Sequence, residues 1–124
     1  MLLARACVLC VRKQPHFNSV YTPFTLVVRK QVDVGIAVDV PGGRLRPVLL
    51  DAARRPFDEL GEDGRILSNK IKRNRLGPDD YWGATFYLSN LGVFEMITHF
   101  DAIIPPGPPR FWCLGWRKQT ARPS

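Results

Sequence analysis

The sequence predicts an α/β domain, a two-layer sandwich of helices against a mixed sheet. Three stretches carry that expectation. Apolar residues alternate through Val32, Val34, Ile36, Val38 and Val40, the period of a strand. Phe57, Leu60, Gly64, Leu67 and Ile71 recur at three- and four-residue steps, the period of a helix that lays one face on a sheet. The run Thr85-Phe86-Tyr87-Leu88-Ser89-Asn90-Leu91-Gly92 is a β-branched and aromatic strand that stops at a polar Ser-Asn pair closed by glycine.

In chain order, residues 2–13 suit a largely buried helix through Leu2, Leu3, Ala6, Cys7, Leu9, Cys10 and Val11. Gln14-Pro15 ends it, because the residue before proline avoids the helical region. Residues 15–18 form a turn. Extended structure is expected over 25–31 and 32–40, and Pro41-Gly42-Gly43 turns the chain. A strand follows over 45–51, and Pro56 starts the next helix from a favoured first-turn position. Asn74 or Gly77 ends that helix. Further strands are expected at 84–91, 100–104 and 111–116, and the polar segment from Arg117 onward is expected to fray.

With 124 residues, 45% of them hydrophobic, the chain makes one domain with a modest core. No run of 18 apolar residues occurs, so no membrane span and no membrane partner are expected. Arg5 interrupts the apolar start and Arg12-Lys13 follow it, the wrong order for a secretory signal. The first acidic residue is Asp33, and a mitochondrial transit peptide can share that basic, acid-free composition. Cys7 and Cys10 have CxxC spacing, but two thiols cannot close a tetrahedral site. Both are read as core residues, and no metal site is expected. The net charge of +7 admits a nucleic-acid partner. The cations are spread out, however, with one group at Arg65, Lys70, Lys72, Arg73 and Arg75 and another at Arg110, Arg117, Lys118 and Arg122. A solvated face accounts for both groups, and nucleic acid is disfavoured.

Four segments share an order and spacing with a known family. Residues 6–18 give a small-residue helix and then Pro15-His16-Phe17-Asn18. Residues 33–43 read Asp-Val-Gly-Ile-Ala-Val-Asp-Val-Pro-Gly-Gly. Residues 75–92 hold Arg-Leu-Gly-Pro-Asp-Asp and the strand ending in Ser-Asn-Leu-Gly. Ala102-Ile103-Ile104 and Pro106 close the series. Together they resemble the catalytic domain of the dihydrolipoyl acyltransferases of 2-oxo acid dehydrogenase complexes. The resemblance explains the basic N-terminal segment better than a transit peptide does. It implies a chloramphenicol-acetyltransferase-like fold, incomplete here, with residues 1–116 as a partial catalytic domain and 117–124 as a polar tail.

The resemblance further implies acyl transfer between coenzyme A and a dihydrolipoyl group, both as substrates, with no covalently bound cofactor in this chain. Lipoyl domains and related acyltransferase subunits, in a homo- or hetero-trimer, are the implied partners. The implied location is the mitochondrial matrix in a eukaryote and the cytoplasm in a bacterium. In the family, a histidine in a His-x-x-x-Asp-Gly motif acts as general base on the attacking thiol. A serine hydroxyl donates to the oxyanion of the tetrahedral intermediate. Ser89 stands at the serine position, and Asn90 beside it is a candidate substrate-binding residue that also suits a turn. The histidine motif is missing, since Val20 lies four positions after His16 and Ile103 four after His99. The expectation is a truncated or divergent chain, inactive alone. The alternatives are a non-catalytic assembly component of such a complex and, less favoured, a small basic nucleic-acid binder.

Departures from the family pattern bear on stability. Arg44 and Arg46 replace apolar residues at alternate positions and share a face. If that face is buried, each needs a partner. Gly61 and Gly64 stand where the family prefers larger helix residues, and Gly64 predicts a cavity. Glu95 replaces a glycine, which matters if the turn there requires positive φ. Pro105, Pro106, Pro108 and Pro109 stiffen a loop. An uncovered apolar patch and self-association are also expected.

Overall fold

The computed structural model describes residues 1–103 and 111–115, with the backbone alone at Tyr21, Phe111 and Trp112. The proline-rich loop, the C-terminal cations and the 117–124 tail, for which the sequence raised expectations, lie outside the described residues.

Helix α1 spans Leu2–Lys13 and carries Arg12 and Lys13 in its last turn, where cations offset the helix dipole. It stops as Gln14 N donates to the carbonyls of Cys10 and Val11, immediately before Pro15. Only one stripe is buried: Ala4, Cys7, Val8 and Val11. This corrects the expected largely buried helix. Leu2, Leu3, Ala6, Leu9 and Cys10 fall outside the stripe and are exposed, because the helix has one packed face. Burial raises the Cys7 thiol above its ordinary pKa, whereas Cys10 is at the surface and not a core residue.

A 3-10 turn, Pro15–Asn18, leads into a small antiparallel pair of β1 (Ser19–Tyr21) and β2 (Leu26–Val28). The central strand β3 covers Val34–Val40. Pro41 and Gly42, the latter at φ 90°, turn the chain into β4 (Gly43–Leu45), and β5 (Val48–Leu49) follows. Paired residue numbers add to 83 throughout, in Val40↔Gly43 and in Val34↔Leu49 alike, so β4 and β5 are one hairpin arm in one register. The expected strand over 45–51 is therefore split. Pro47 has no N–H to give, and only its carbonyl joins the ladder by accepting from Ile36 N at 2.9 Å. Asp51, at φ 48°, turns the chain away.

Helix α2 spans Phe57–Lys72, with Asp58 and Glu59 in its first turn. Pro56 caps it in an extended conformation (ψ 151°) and is not itself helical, one position earlier than expected. Asn74 closes the other end at φ 52°, a conformation that asparagine tolerates. Leu60 is buried and Leu67 packs partly against the core, but Phe57 is exposed because it precedes the first full contact turn. The Pro78–Asp80 3-10 turn is tied back to α2 by Lys70 Nζ, 2.7 Å from Asp80 Oδ1.

Strand β6 (Phe86–Asn90) runs parallel to β3, and β7 (Phe111–Leu114) runs parallel to β6. Residues 100–103 do not form the expected strand, and Ile103 is 96% exposed. The main sheet has the order β4-β3-β6-β7, with β5 also on β3. It is mixed, as expected, with antiparallel pairing of β3 to β4 and parallel pairing of β3 to β6. Val34, Phe86 and Leu88 share one face and join Ala4, Cys7, Val8 and Val11 of α1 and Leu60 of α2 in the core. Gly35, Ala37, Tyr87 and Ser89 share the opposite face.

Candidate functional site

Parallel pairing sets Gly35 beside Tyr87 and Ala37 beside Ser89. The two smallest side chains of β3 thus lie next to Tyr87 and Ser89, and the sheet face stays shallow where the serine stands. On its other side Ser89 pairs with Cys113 of β7, whose position as a lone C-terminal cysteine gave no hint of this neighbourhood.

Beyond Asn90 the chain folds back. Leu91 N donates to Leu114 O, Phe94 N to Leu91 O and Ile97 N to Phe94 O. These turns bring Val93 and Phe94 over the strand end. The result is a cavity of about 250 Å³ lined by Ala37, Asp39, Arg44, Ser89, Asn90 and Phe94, among others. Ser89 is only 5% exposed, yet its hydroxyl is not among the sealed-off unpaired polar atoms, which are Asn18 Oδ1 and Asp51 Oδ1. It takes no hydrogen-bond partner among the described residues and lines the cavity, so its proton is open to a guest.

Asn90 also lines the cavity, but its Oδ1 accepts from Gly92 N at 2.9 Å, the local bond that makes the turn. Gly92 fits that turn closely, since a side chain there would press on Gly115 O at 3.0 Å. Glu95 follows at an ordinary φ, so its replacement of glycine stores no strain.

Arg44 and Arg46 share the serine's face, as their alternation predicted, and both have partners. Arg44 Nε donates to Asp39 Oδ1 at 2.7 Å across the hairpin, which raises its pKa above the ordinary arginine value. The Arg46 guanidinium lies over the Tyr87 ring, 5.6 Å from its centroid. The cavity wall therefore carries a compensated ion pair. Neither His16 nor His99 lines the cavity, and both are exposed. Among the described residues no group of three or more His, Cys, Asp or Glu side chains gathers as a metal site would need.

Residues 1–119 match the family model of the 2-oxoacid dehydrogenases acyltransferase catalytic domain. The chain is 35% identical over 123 residues to the mitochondrial dihydrolipoyllysine-residue acetyltransferase component 3 of the pyruvate dehydrogenase complex of Arabidopsis thaliana. That match covers 99% of this chain and 23% of the relative. It is 34% identical to the corresponding component of Pseudomonas aeruginosa, over 98% of this chain and 22% of the relative. The chain thus spans about a quarter of the length of these relatives. Among solved structures, the cubic core of the pyruvate dehydrogenase multienzyme complex superposes with a TM-score of 0.70 at 35% identity, covering 74% of this chain and 39% of that one. A truncated catalytic core of the 2-oxoacid dehydrogenase complex from Thermoplasma acidophilum gives a TM-score of 0.80, covering 93% of this chain and 54% of that one. At 24% identity it speaks to the fold alone.

Proposed function

The chain belongs to the 2-oxoacid dehydrogenase acyltransferase catalytic-domain family, and on that premise we propose that it serves acyl transfer between coenzyme A and a dihydrolipoyl group as the serine-bearing part of a chloramphenicol-acetyltransferase-like fold. The observation that carries this reading is the Ser89 hydroxyl, which has no partner among the described residues and lines a cavity at the end of a strand held on both sides.

A hydroxyl aimed from a rigid strand needs no reorganisation when an oxyanion forms beside it. In the proposed step a dihydrolipoyl thiol, having lost its proton to a base, attacks the thioester carbonyl of acyl-coenzyme A. The carbonyl oxygen takes up the negative charge, and Ser89 Oγ–H donates to it. The tetrahedral intermediate then collapses, expelling the coenzyme A thiolate and leaving the acyl thioester on the lipoyl group. Asn90 supports the site chiefly by shaping the turn. These 124 residues contain no His-x-x-x-Asp-Gly to supply the base. The proposed working form is an oligomer with related acyltransferase subunits, to which lipoyl domains deliver the acceptor. The compartment that goes with this reading is the mitochondrial matrix in a eukaryote and the cytoplasm in a bacterium.

The second reading is a non-catalytic component of a 2-oxo acid dehydrogenase core. One complementation experiment separates the two. The chain is co-expressed with a full-length family member whose own oxyanion serine has been replaced by alanine, and acetyl transfer from acetyl-coenzyme A to dihydrolipoamide is measured. The first reading expects turnover restored by the chain and lowered by about 100- to 1,000-fold when Ser89→Ala replaces it. Co-assembly without restored turnover establishes the second.

A further inference from the structure

Strand β7 brings a thiol to the serine. Parallel register makes Cys113 the partner of Ser89, as Leu114 is of Asn90. Register partners in neighbouring strands point to one face, with backbones about 4.8 Å apart. Leu88 and Leu114 pack into the core, so Ser89 and Cys113 share the opposite face. Ser89 thus has Ala37 and the cavity on its β3 side and the thiol on its β7 side. Cys113 is half-buried. The segment after Asn90 closes over both strand ends, since Leu91 N donates to Leu114 O and a side chain at Gly115 would strike Thr98 O. The other two cysteines stand on α1, which packs against the far face of the sheet.

The Ser89 side chain is an independent sign of a guest here. It is 5% exposed and lines the cavity, and its hydroxyl has no hydrogen-bond partner among the described residues. A nearly buried donor without an acceptor is unfavourable, and a guest carbonyl oxygen supplies the acceptor. A carbonyl held by that hydroxyl has its carbon within reach of the next strand, where the thiol stands. A thiol ionises appreciably at mildly alkaline pH, and its thiolate is a strong nucleophile toward carbonyl carbon.

We propose that Cys113 is an acyl acceptor, taking an acyl group from a thioester whose carbonyl oxygen Ser89 holds. The inference deepens the acyl-transfer reading and rests on it. The Cys113 thiol gives its proton to solvent, and its sulfur attacks the thioester carbonyl carbon of acyl-coenzyme A. The carbonyl oxygen takes up the negative charge and accepts from Ser89 Oγ–H. Collapse breaks the bond to the coenzyme A sulfur, and that thiolate leaves and regains a proton. One thioester is exchanged for another with no change of oxidation state. A dihydrolipoyl thiol removes the acyl group from Cys113 by the same exchange.

Incubation of the 124-residue chain with acetyl-coenzyme A at mildly alkaline pH tests it, with peptide mass mapping of the acetylated cysteines and release by hydroxylamine to identify thioesters. Cys10 is the internal reference, because it is exposed and has no such neighbour. Cys113 is expected to be acetylated faster than Cys10 despite its lesser exposure. Ser89→Ala should slow acetylation of Cys113 by about 100-fold and leave Cys10 unchanged. Iodoacetamide supplies the control for structure, since alkylation builds no oxyanion. Its rate at Cys113 should be the same with and without the Ser89 hydroxyl. Acetylation of Cys113 no faster than that of Cys10, no effect of Ser89→Ala, or equal slowing of acetylation and alkylation overturns the proposal. Turnover restored in the complementation experiment without acetylation of Cys113 removes the acceptor and leaves the Ser89 reading standing.

Discussion

Tyr87 lies across Gly35, so close that a methyl group on Gly35 would overlap the edge of the phenol ring. The two residues are register partners in adjacent parallel strands, and the same ring carries the Arg46 guanidinium. Tyr87 is two positions from Ser89 on the same face, so this contact helps to set where the serine strand sits. Gly35→Ala is expected to destabilise the fold by about 1–3 kcal/mol, the usual size of an overpacking effect. Urea denaturation checks it, and a loss smaller than about 0.5 kcal/mol would mean that the ring swings aside freely.

The helix glycines should respond in the opposite direction. A side chain at Gly61 would meet nothing within 4 Å, whereas one at Gly64 would meet Met1 Sδ at 2.9 Å. Gly64 borders an apolar cavity of about 480 Å³ between α2 and β3, where Ile36, Val38, Leu67 and Ile71 line the walls and Met1 reaches in. This is the cavity that the missing side chain predicted. Gly61→Ala should stabilise by about 0.5–1 kcal/mol through helix propensity. Gly64→Ala should gain less, because the flexible Met1 side chain must yield. Thermal unfolding of both variants measures the difference, and an equal gain would show that Met1 is not seated there.

Asp80 supplies a pH dependence. Its pKa is lowered from the ordinary value of 3.8, first by the hydrogen bond from Lys70 and then by Gly77 N. A carboxylate with a depressed folded-state pKa stabilises the fold above its unfolded value, and that contribution vanishes as pH falls through the folded value. Lys70→Met should therefore lower stability at neutral pH by at most about 1 kcal/mol, since Lys70 is substantially exposed. The gap from the unsubstituted chain should close as pH drops below the ordinary value of 3.8. A gap that persists in acid would assign the effect to packing of the lysine stem.

The outer side of α1 predicts association. Leu2, Leu3 and Leu9 are 77%, 51% and 41% exposed, an apolar strip opposite the buried stripe. Light scattering on the pure chain should show oligomers at high concentration, and Leu2→Lys with Leu9→Glu should shift the distribution toward monomer. A monodisperse monomer at high concentration would count against this.

Much of the architecture was legible because strand and helix periods differ. The alternation through Val34–Val40 and the three- and four-residue steps ending at Ile71 located β3 and α2, and the family motifs located Ser89. Misreadings arose where local pattern yields to neighbours. Leu3 and Leu9 look like core residues, but a helix with one packed face buries only a single stripe. The run 45–51 looks like one strand, but Pro47 cannot complete the ladder.

Sequence by itself determined the family, the strand that ends in a serine and the lack of a paired histidine motif within these residues, because each is a matter of which side chains follow one another. Tertiary structure alone decided that Ala37 and Arg44 share a cavity with Ser89 and that Tyr87 rests on Gly35. Those relationships depend on register and chain reversal. They join residues tens of positions apart, and no local period records them.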